Sequence, residues 1–179
     1  VPQKILDSVI NSEIGDDTIS TIFDSINAKK GNETIDLIIG GPPCQAYSIA
    51  GRSRDANGMK DDKRNYLFRY YAKFLEKYKP KYFVFENVTG LLSAKDKSGN
   101  FYLDEMRKLF QLAGYETEYK VLAANEYGVL QNRKRIILVG KKGKYKGFYP
   151  EPEKWDPQVC VKEIFKDLPV LRAGQGQIT

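Results

Sequence analysis

Apolar positions fall along this chain in short blocks, some spaced three and four apart, others continuous or alternating, and together they predict an open α/β arrangement. Ile5 to Ile14 reads as a short helix. After the turn Gly15-Asp16-Asp17-Thr18, the spacing of Ile19, Ile22, Phe23 and Ile26 predicts a second helix, which Asp17 or Thr18 can cap. Lys29 to Thr34 is a polar loop. Ile35 to Ile39 holds four aliphatics in five residues between turn formers, the pattern of a buried strand. Two glycines and two prolines then deliver Cys44. Ala50 to Arg64 has no periodicity and is dense in charge, either a functional binding loop or lid, or a plain insertion.

From Asn65 to Tyr78 helical spacing returns, with Leu67, Tyr70, Tyr71, Phe74, Leu75 and Tyr78 on one broad face, and periodicity favours core packing for these aromatics over base stacking. Lys79-Pro80 ends that helix. Tyr82 to Phe85 is a second buried strand, running into Glu86-Asn87-Val88. Gly90 to Asn100 is a loop, and Phe101 to Ala113 is an amphipathic helix with Leu103, Met106, Leu109, Phe110 and Leu112 as its apolar set, closed by Gly114. Tyr115 to Ala123 alternates as a strand does, and Ile136 to Val139 is a further strand.

Composition narrows the chemistry. At 179 residues with 41% hydrophobic residues, the chain has the size of one domain with a real core. No stretch reaches the roughly 18 apolar residues of a membrane span and no secretory hydrophobic region stands at the start, so a cytoplasmic location is expected. The two cysteines, Cys44 and Cys160, are read as thiols. A net charge of +6 favours a polyanionic partner without requiring one. The chain has no histidine, which removes histidine-dependent hydrolysis, histidine acid-base work and histidine zinc sites; two cysteines alone leave no plausible metal site. Chemistry here must run on thiol, carboxylate, guanidinium and backbone.

Three strand ends carry such groups. Cys44 follows the first strand at the rim where open α/β sheets bind ligands, aimed by a stiff proline turn, although a free cysteine is also at home as a small inert hydrophobe. Glu86 directly follows four apolar residues. Burial there would raise its pKa and keep it protonated; the alternative is a turn or cap residue. Two-residue spacing puts Gln131, Arg133 and Arg135 on one side if strand geometry extends back from Ile136. The arginines could grip a phosphate or the polar edge of a base, or serve as a solvated guard against edge aggregation. Asp16 and Asp17 read by themselves as turn or cap residues.

GGPPCQAYS, FENV and QNRKR, in this order and at these separations, resemble the motifs of DNA (cytosine-5) methyltransferases, and the likeness runs from about Asp16 to Gly140. The resemblance implies a Rossmann-like S-adenosylmethionine-dependent methyltransferase sheet, incomplete at its N-terminal side, with Tyr115 to Ala123 and Ile136 to Val139 as a terminal antiparallel pair. It implies that Cys44 adds to carbon 6 of a flipped-out cytosine in double-stranded DNA, that Glu86 hydrogen-bonds and protonates N3, and that Arg135 contacts the O2 side with Arg133 as its partner. Asn87 would fix the proline turn, with Gln45, Ser48 and Gln131 in support. Asp16 and Asp17 match the family's adenine-binding turn, joined by Gly41, Pro43 and Leu67 around S-adenosyl-L-methionine.

The chemistry fits those roles. Carbon 5 of cytosine is a poor nucleophile; a thiolate adding at carbon 6 makes carbon 5 enamine-like and able to attack a sulfonium methyl group. Neutralising N3 and binding the carbonyl oxygen assist the addition, and base flipping costs a few kcal/mol, offset by pocket contacts. Several family features are not matched: no glycine-rich first motif precedes Asp16, no ribose-binding acid is evident, and Leu130 stands where proline is common. Residues 1–143 are therefore read as part of a catalytic domain, and 144–179, with Asp167-Leu168-Pro169, as the lead towards an absent target-recognition region. A fragment or defective copy is expected, with a cognate restriction endonuclease as a possible partner. The rival readings are an RNA cytosine-5 methyltransferase and a non-catalytic nucleic-acid-binding module.

Overall fold

A computed structural model describes residues 2–43, 66–155, 158–172 and 176. Its elements are α1 (Gln3–Leu6), α2 (Ile19–Lys30), β1 (Leu37–Gly40), α3 (Phe68–Tyr78), β2 (Tyr82–Val88), α4 (Tyr102–Leu112), β3 (Tyr115–Ala123), β4 (Lys134–Lys142) and α5 (Val161–Ile164), with 3-10 turns at Thr89–Leu92 and Ala124–Glu126. The strands form one open sheet in the order β1-β2-β4-β3. β1 runs parallel to β2, and β4 runs antiparallel to β2. At one end of the β3–β4 pair the Gly143 N–H donates to Gly114 O, and at the other the Ala124 N–H donates to Arg133 O, so these strands also run oppositely. The terminal antiparallel pair is as the sequence implied.

The core lies between the sheet and the pair α3 and α4. β2 alternates in burial, which puts Phe83, Phe85 and Asn87 inward and leaves Val84, Glu86 and Val88 half-buried on the other face. Phe83 and Phe85 meet Tyr71 of α3 and Phe110 of α4 in edge-to-face and tilted contacts with ring centres 4.9–5.8 Å apart. Tyr71 does more than fill space. Its hydroxyl lies 3.1 Å from Ile38 O and 2.9 Å from Val84 O, tying the helix to β1 and β2 together. Burial raises its pKa well above the usual tyrosine range. Tyr115 is likewise buried, its hydroxyl donating to Pro80 O at 2.8 Å, and desolvation pushes its pKa up to about 12. A second aromatic set joins α2 to α3, with Phe23 5.0 Å from Phe74 and 5.7 Å from Tyr78.

Several sequence-based boundaries are corrected. The first helix stops at Leu6, and Val9 to Ile14 are not helical: Ile5, Leu6, Val9 and Ile14 are all exposed, and a short helix without a buried face is marginal in water. Thr18 does not cap α2, because its Oγ1 is engaged by the Gly15 N–H and Glu13 O. β1 begins at Leu37 and is not buried as expected; Leu37 and Ile39 are exposed, since the described sheet pairs this strand on one side only. β2 runs on to Val88, so Glu86 and Asn87 belong to the strand instead of following it. α3 begins at Phe68, which replaces Leu67 in the buried set, and Leu112 of α4 faces solvent. The Gly90 to Asn100 segment contains part of the 3-10 turn, whose Leu91 is fully buried.

Residues 1–122 with 134–151 form one compact unit, and 123–133 with 152–179 form another. Within the second unit Trp155 donates its N–H to Glu126 O at 2.9 Å and lies over Gly128, where a Cβ would fall 2.2 Å from the indole. Gly128 has φ +80°, so both its conformation and its space exclude a side chain. Lys154 pairs with Glu126 at 2.6 Å, and this contact raises the lysine pKa.

Candidate active site

Strand register builds the centre of the site. In the β2–β4 ladder Glu86 faces Ile137 and Val88 faces Arg135, so Glu86 and Arg135 are diagonal neighbours on one face of the sheet. Arg135 Nε lies 2.7 Å from Glu86 Oε1. The same guanidinium donates from Nη1 to Lys134 O at 2.8 Å, which fixes its plane. In the parallel ladder Gly40 faces Phe85, so Gly41 arrives beside Glu86. A Cβ on Gly41 would lie 2.8 Å from Glu86 Oε2 and 3.3 Å from Glu86 O. The carboxylate is therefore held between a guanidinium and bare backbone.

Glu86 is not buried as its apolar run suggested. Its side chain keeps 41% of its surface exposed and is ion-paired with Arg135. The alternation along β2 explains this, because one residue in two points away from the α3–α4 core. Asn87, the next residue, is almost fully buried. Its Nδ2 lies 3.4 Å from Pro42 O, and its Oδ1 accepts from the Val88 N–H at 2.9 Å. The strand end thus holds the start of the proline turn through one side chain.

Cys44, Gln45, Ser48 and the Ala50 to Arg64 loop lie outside the described residues, whereas Gly41 and Pro43 lie at the exposed end of β1. Gln131 and Arg133 are exposed and do not continue β4 backwards: Gln131 N–H bonds Val129 O and Arg133 N–H bonds Gln131 O, which breaks strand alternation. The expected line of Gln131, Arg133 and Arg135 on one strand face is thereby overturned. Arg133 and Gln131 belong to the second compact unit, Arg135 to the first.

Asp16 is exposed and paired with Lys73 of α3 at 3.1 Å. The hydrogen bond from Lys73, with a second from Tyr70, holds the Asp16 carboxyl below the usual carboxylate range. Desolvation and the Asp16 bond push Tyr70 the other way. Asp17 is exposed in the same turn, and Leu67 is half-buried one turn before Tyr70. The Asp16 and Leu67 positions therefore both meet the start of α3. Sequence reading placed Tyr71 in the core but not its hydroxyl bonds to β1 and β2, nor the contacts of Lys73 and Tyr70 with Asp16, because these act across elements that only the fold brings together.

The described strands thus form an open mixed α/β sheet whose middle strands present a glutamate and an arginine together, with a glycine-proline turn arriving beside them. A model of the C-5 cytosine-specific DNA methylase family matches residues 4–173. The chain belongs to that family. Type II methyltransferase M.Bpa9945I of Bacillus paralicheniformis is 43% identical over 155 residues, covering 80% of this chain and 34% of that protein. M.XorII of Xanthomonas oryzae pv. oryzae is 45% identical over 142 residues, covering 78% and 31%. The chain spans about a third of the length of the curated relatives it matches. Among solved structures, a prophage-encoded E. coli protein described as a DNA modification methyltransferase superposes with TM-score 0.56 at 25% identity, covering 88% of this chain and 40% of that one. The Entamoeba histolytica methyltransferase EhMeth superposes with TM-score 0.52 at 18% identity, covering 84% and 41%. Among the described residues no helix is long and apolar enough to cross a membrane.

Proposed function

We propose that this chain carries the chemical centre of an enzyme that transfers a methyl group from S-adenosylmethionine to carbon 5 of cytosine in double-stranded DNA. The observation that supports it most is the meeting of Glu86, Arg135 and Gly41 at one sheet end, since the three motifs that hold them are far apart in sequence. Cys44 follows Gly41 by three residues and is the nucleophile: its thiolate adds to carbon 6 of the flipped base. Glu86, having taken up a proton from solvent, hydrogen-bonds N3 and passes that proton to it, and the Arg135 guanidinium meets the O2 oxygen as charge shifts onto it. Arg133, Gln131, Gln45 and Ser48 support the base and loop, and Asn87 holds the proline turn.

The cofactor fit rests on donor chemistry. Asp16 offers a carboxylate for an amino group, Asp17 stands beside it, Leu67 offers apolar surface, and Gly41 and Pro43 offer backbone with little bulk. S-adenosylmethionine, when bound, supplies the electrophilic methyl group that carbon 5 takes up. A solvent water then takes the carbon 5 proton, the Cys44 sulfur leaves carbon 6 as thiolate, and N3 returns its proton to Glu86, which restores the neutral aromatic base. Residues 1–143 form part of this catalytic domain and 144–179 lead towards target recognition; a cognate restriction endonuclease fits the company of type II relatives.

The test is transfer of labelled methyl groups from S-adenosylmethionine to duplex DNA, single-stranded DNA and RNA by the protein carrying this chain. Label in duplex cytosines that is lost in Cys44→Ser supports the reading. Label confined to RNA would transfer the chemistry to the RNA methyltransferase reading.

A further inference from the structure

The end of the sheet away from Glu86 and Arg135 is lined with lysines. Tyr82 pairs with Lys141 at this end and Val88 with Arg135 at the other, a separation of about 20 Å at roughly 3.3 Å per residue. The Lys142 N–H donates to Lys81 O at 3.0 Å, which brings the segment before β2 alongside the segment after β4. Lys79, Lys81, Lys141, Lys142, Lys144 and Lys146 are thus gathered at one edge. Gly143 and Gly147, with φ +98° and +66°, turn the backbone on either side of Lys144 to Lys146.

Nearby carboxylates neutralise only part of this edge among the described residues. Asp36 is engaged by Lys81 at 2.8 Å. Glu118 accepts the N–H groups of Gly147 and Tyr149 at 2.5 and 2.9 Å. Lys79, Lys142, Lys144 and Lys146 have no carboxylate partner among the described residues. Two tyrosines are interleaved with them: the Lys141 ammonium lies 4.1 Å from the centre of the Tyr145 ring and 5.6 Å from that of Tyr82, and both rings remain partly exposed. Clustered, unneutralised cations beside exposed aromatic rings suit a densely charged polymer with sugar and base surface more than a protein carboxylate patch. A duplex carries one charge per about 1.7 Å of axis and releases counterions when lysines replace them.

We propose that this lysine edge is a second nucleic-acid contact, gripping the phosphate backbone of duplex DNA without regard to sequence. It is separate from the end that carries Glu86, and it stands whether or not that end is catalytic. Its effect is to hold the chain on DNA while a target is sought, the role that sequence-independent phosphate contacts play elsewhere.

The test is fluorescence anisotropy of labelled duplexes of unrelated sequence with the full chain, titrated from about 50 to about 200 mM salt. The triple variant Lys142→Gln, Lys144→Gln, Lys146→Gln is expected to bind about tenfold or more weakly at the lower salt. Its slope of log affinity against log salt should be shallower by about two to three. The loss should be equal for every duplex, with an unchanged thermal midpoint. An unchanged salt slope in the folded triple variant overturns the proposal. So does a loss confined to one duplex sequence, or competition by polyglutamate as effective as competition by duplex DNA.

Discussion

Arg135 Nε sits 2.7 Å from Glu86 Oε1, across a strand pair whose register makes the two residues diagonal neighbours. The arginine is fixed at two nitrogens, by Glu86 and by Lys134 O, so the guanidinium plane is set before any base arrives. A lysine at this position keeps the charge and loses the fork. Arg135→Lys and Arg135→Ala should therefore both lower the rate of methyl transfer, by about 100-fold or more, the scale expected when a positioned donor is removed. Single-turnover kinetics measure it, and Arg135→Lys with the parent rate would remove Arg135 from the reaction.

A side chain at Gly41 would crowd the Glu86 carboxylate. A Cβ there would stand 2.8 Å from Glu86 Oε2 and 3.3 Å from its carbonyl oxygen, and the carbonyl cannot move without β2. Gly41→Ala should push Glu86 away from Arg135 and cost on the order of 100-fold in rate, as misplacement by about an ångström does. Its thermal midpoint should change little, since the site is at an exposed strand end. A large loss of stability with full activity per folded molecule would contradict this.

A comparable clash lies in the core. Gly140 faces Phe83 across the β2–β4 ladder, and a Cβ would fall 1.9 Å from the Phe83 ring. The ring is fully buried against Phe110 and Tyr115, so it has nowhere to turn. Gly140→Ala should destabilise the fold by about 1–3 kcal/mol or more, as overpacking does, read as a lower urea midpoint. An unchanged midpoint would mean that the aromatic cluster is loosely packed.

Asp16 supplies a test by pH. Its carboxyl is held below the ordinary value of 3.8, first by the hydrogen bond from Lys73. A depressed carboxyl pKa means that the pair favours the folded chain above the ordinary value, and that this preference is lost as pH falls through the depressed one. Carboxyl NMR should place the Asp16 midpoint below 3.8, and Lys73→Gln should move it up towards that value. A midpoint indifferent to Lys73→Gln would break the assigned pair.

What was legible in the sequence followed from periodicity and from motif order. The alternation of β3, the apolar stripe of α4 with Gly114 at φ +93° behind it, and the runs of β2 and β4 all appear where the apolar spacing put them. The family and the α/β sheet came from three motifs in order. What could not be read was set by partners distant in the chain. Ile35 to Ile39 has the composition of a buried strand, yet burial depends on neighbours, and in the described sheet β1 has one. Glu86 follows four apolar residues, but strand alternation turns it out towards Arg135. Helical spacing extended α1 to Ile14, although nothing packs on Val9 to shield it.

The central claim is that Cys44 forms a bond to carbon 6 of cytosine beside Glu86 and Arg135. The direct measurement is intact-mass and peptide analysis of the protein carrying this chain after incubation with S-adenosylmethionine and duplex DNA containing 5-fluorocytosine. Fluorine at carbon 5 cannot leave as a proton does, so the adduct should persist on the peptide containing Cys44 and vanish in Cys44→Ser. An adduct at another residue, or methylated DNA produced by Cys44→Ser, would contradict the account.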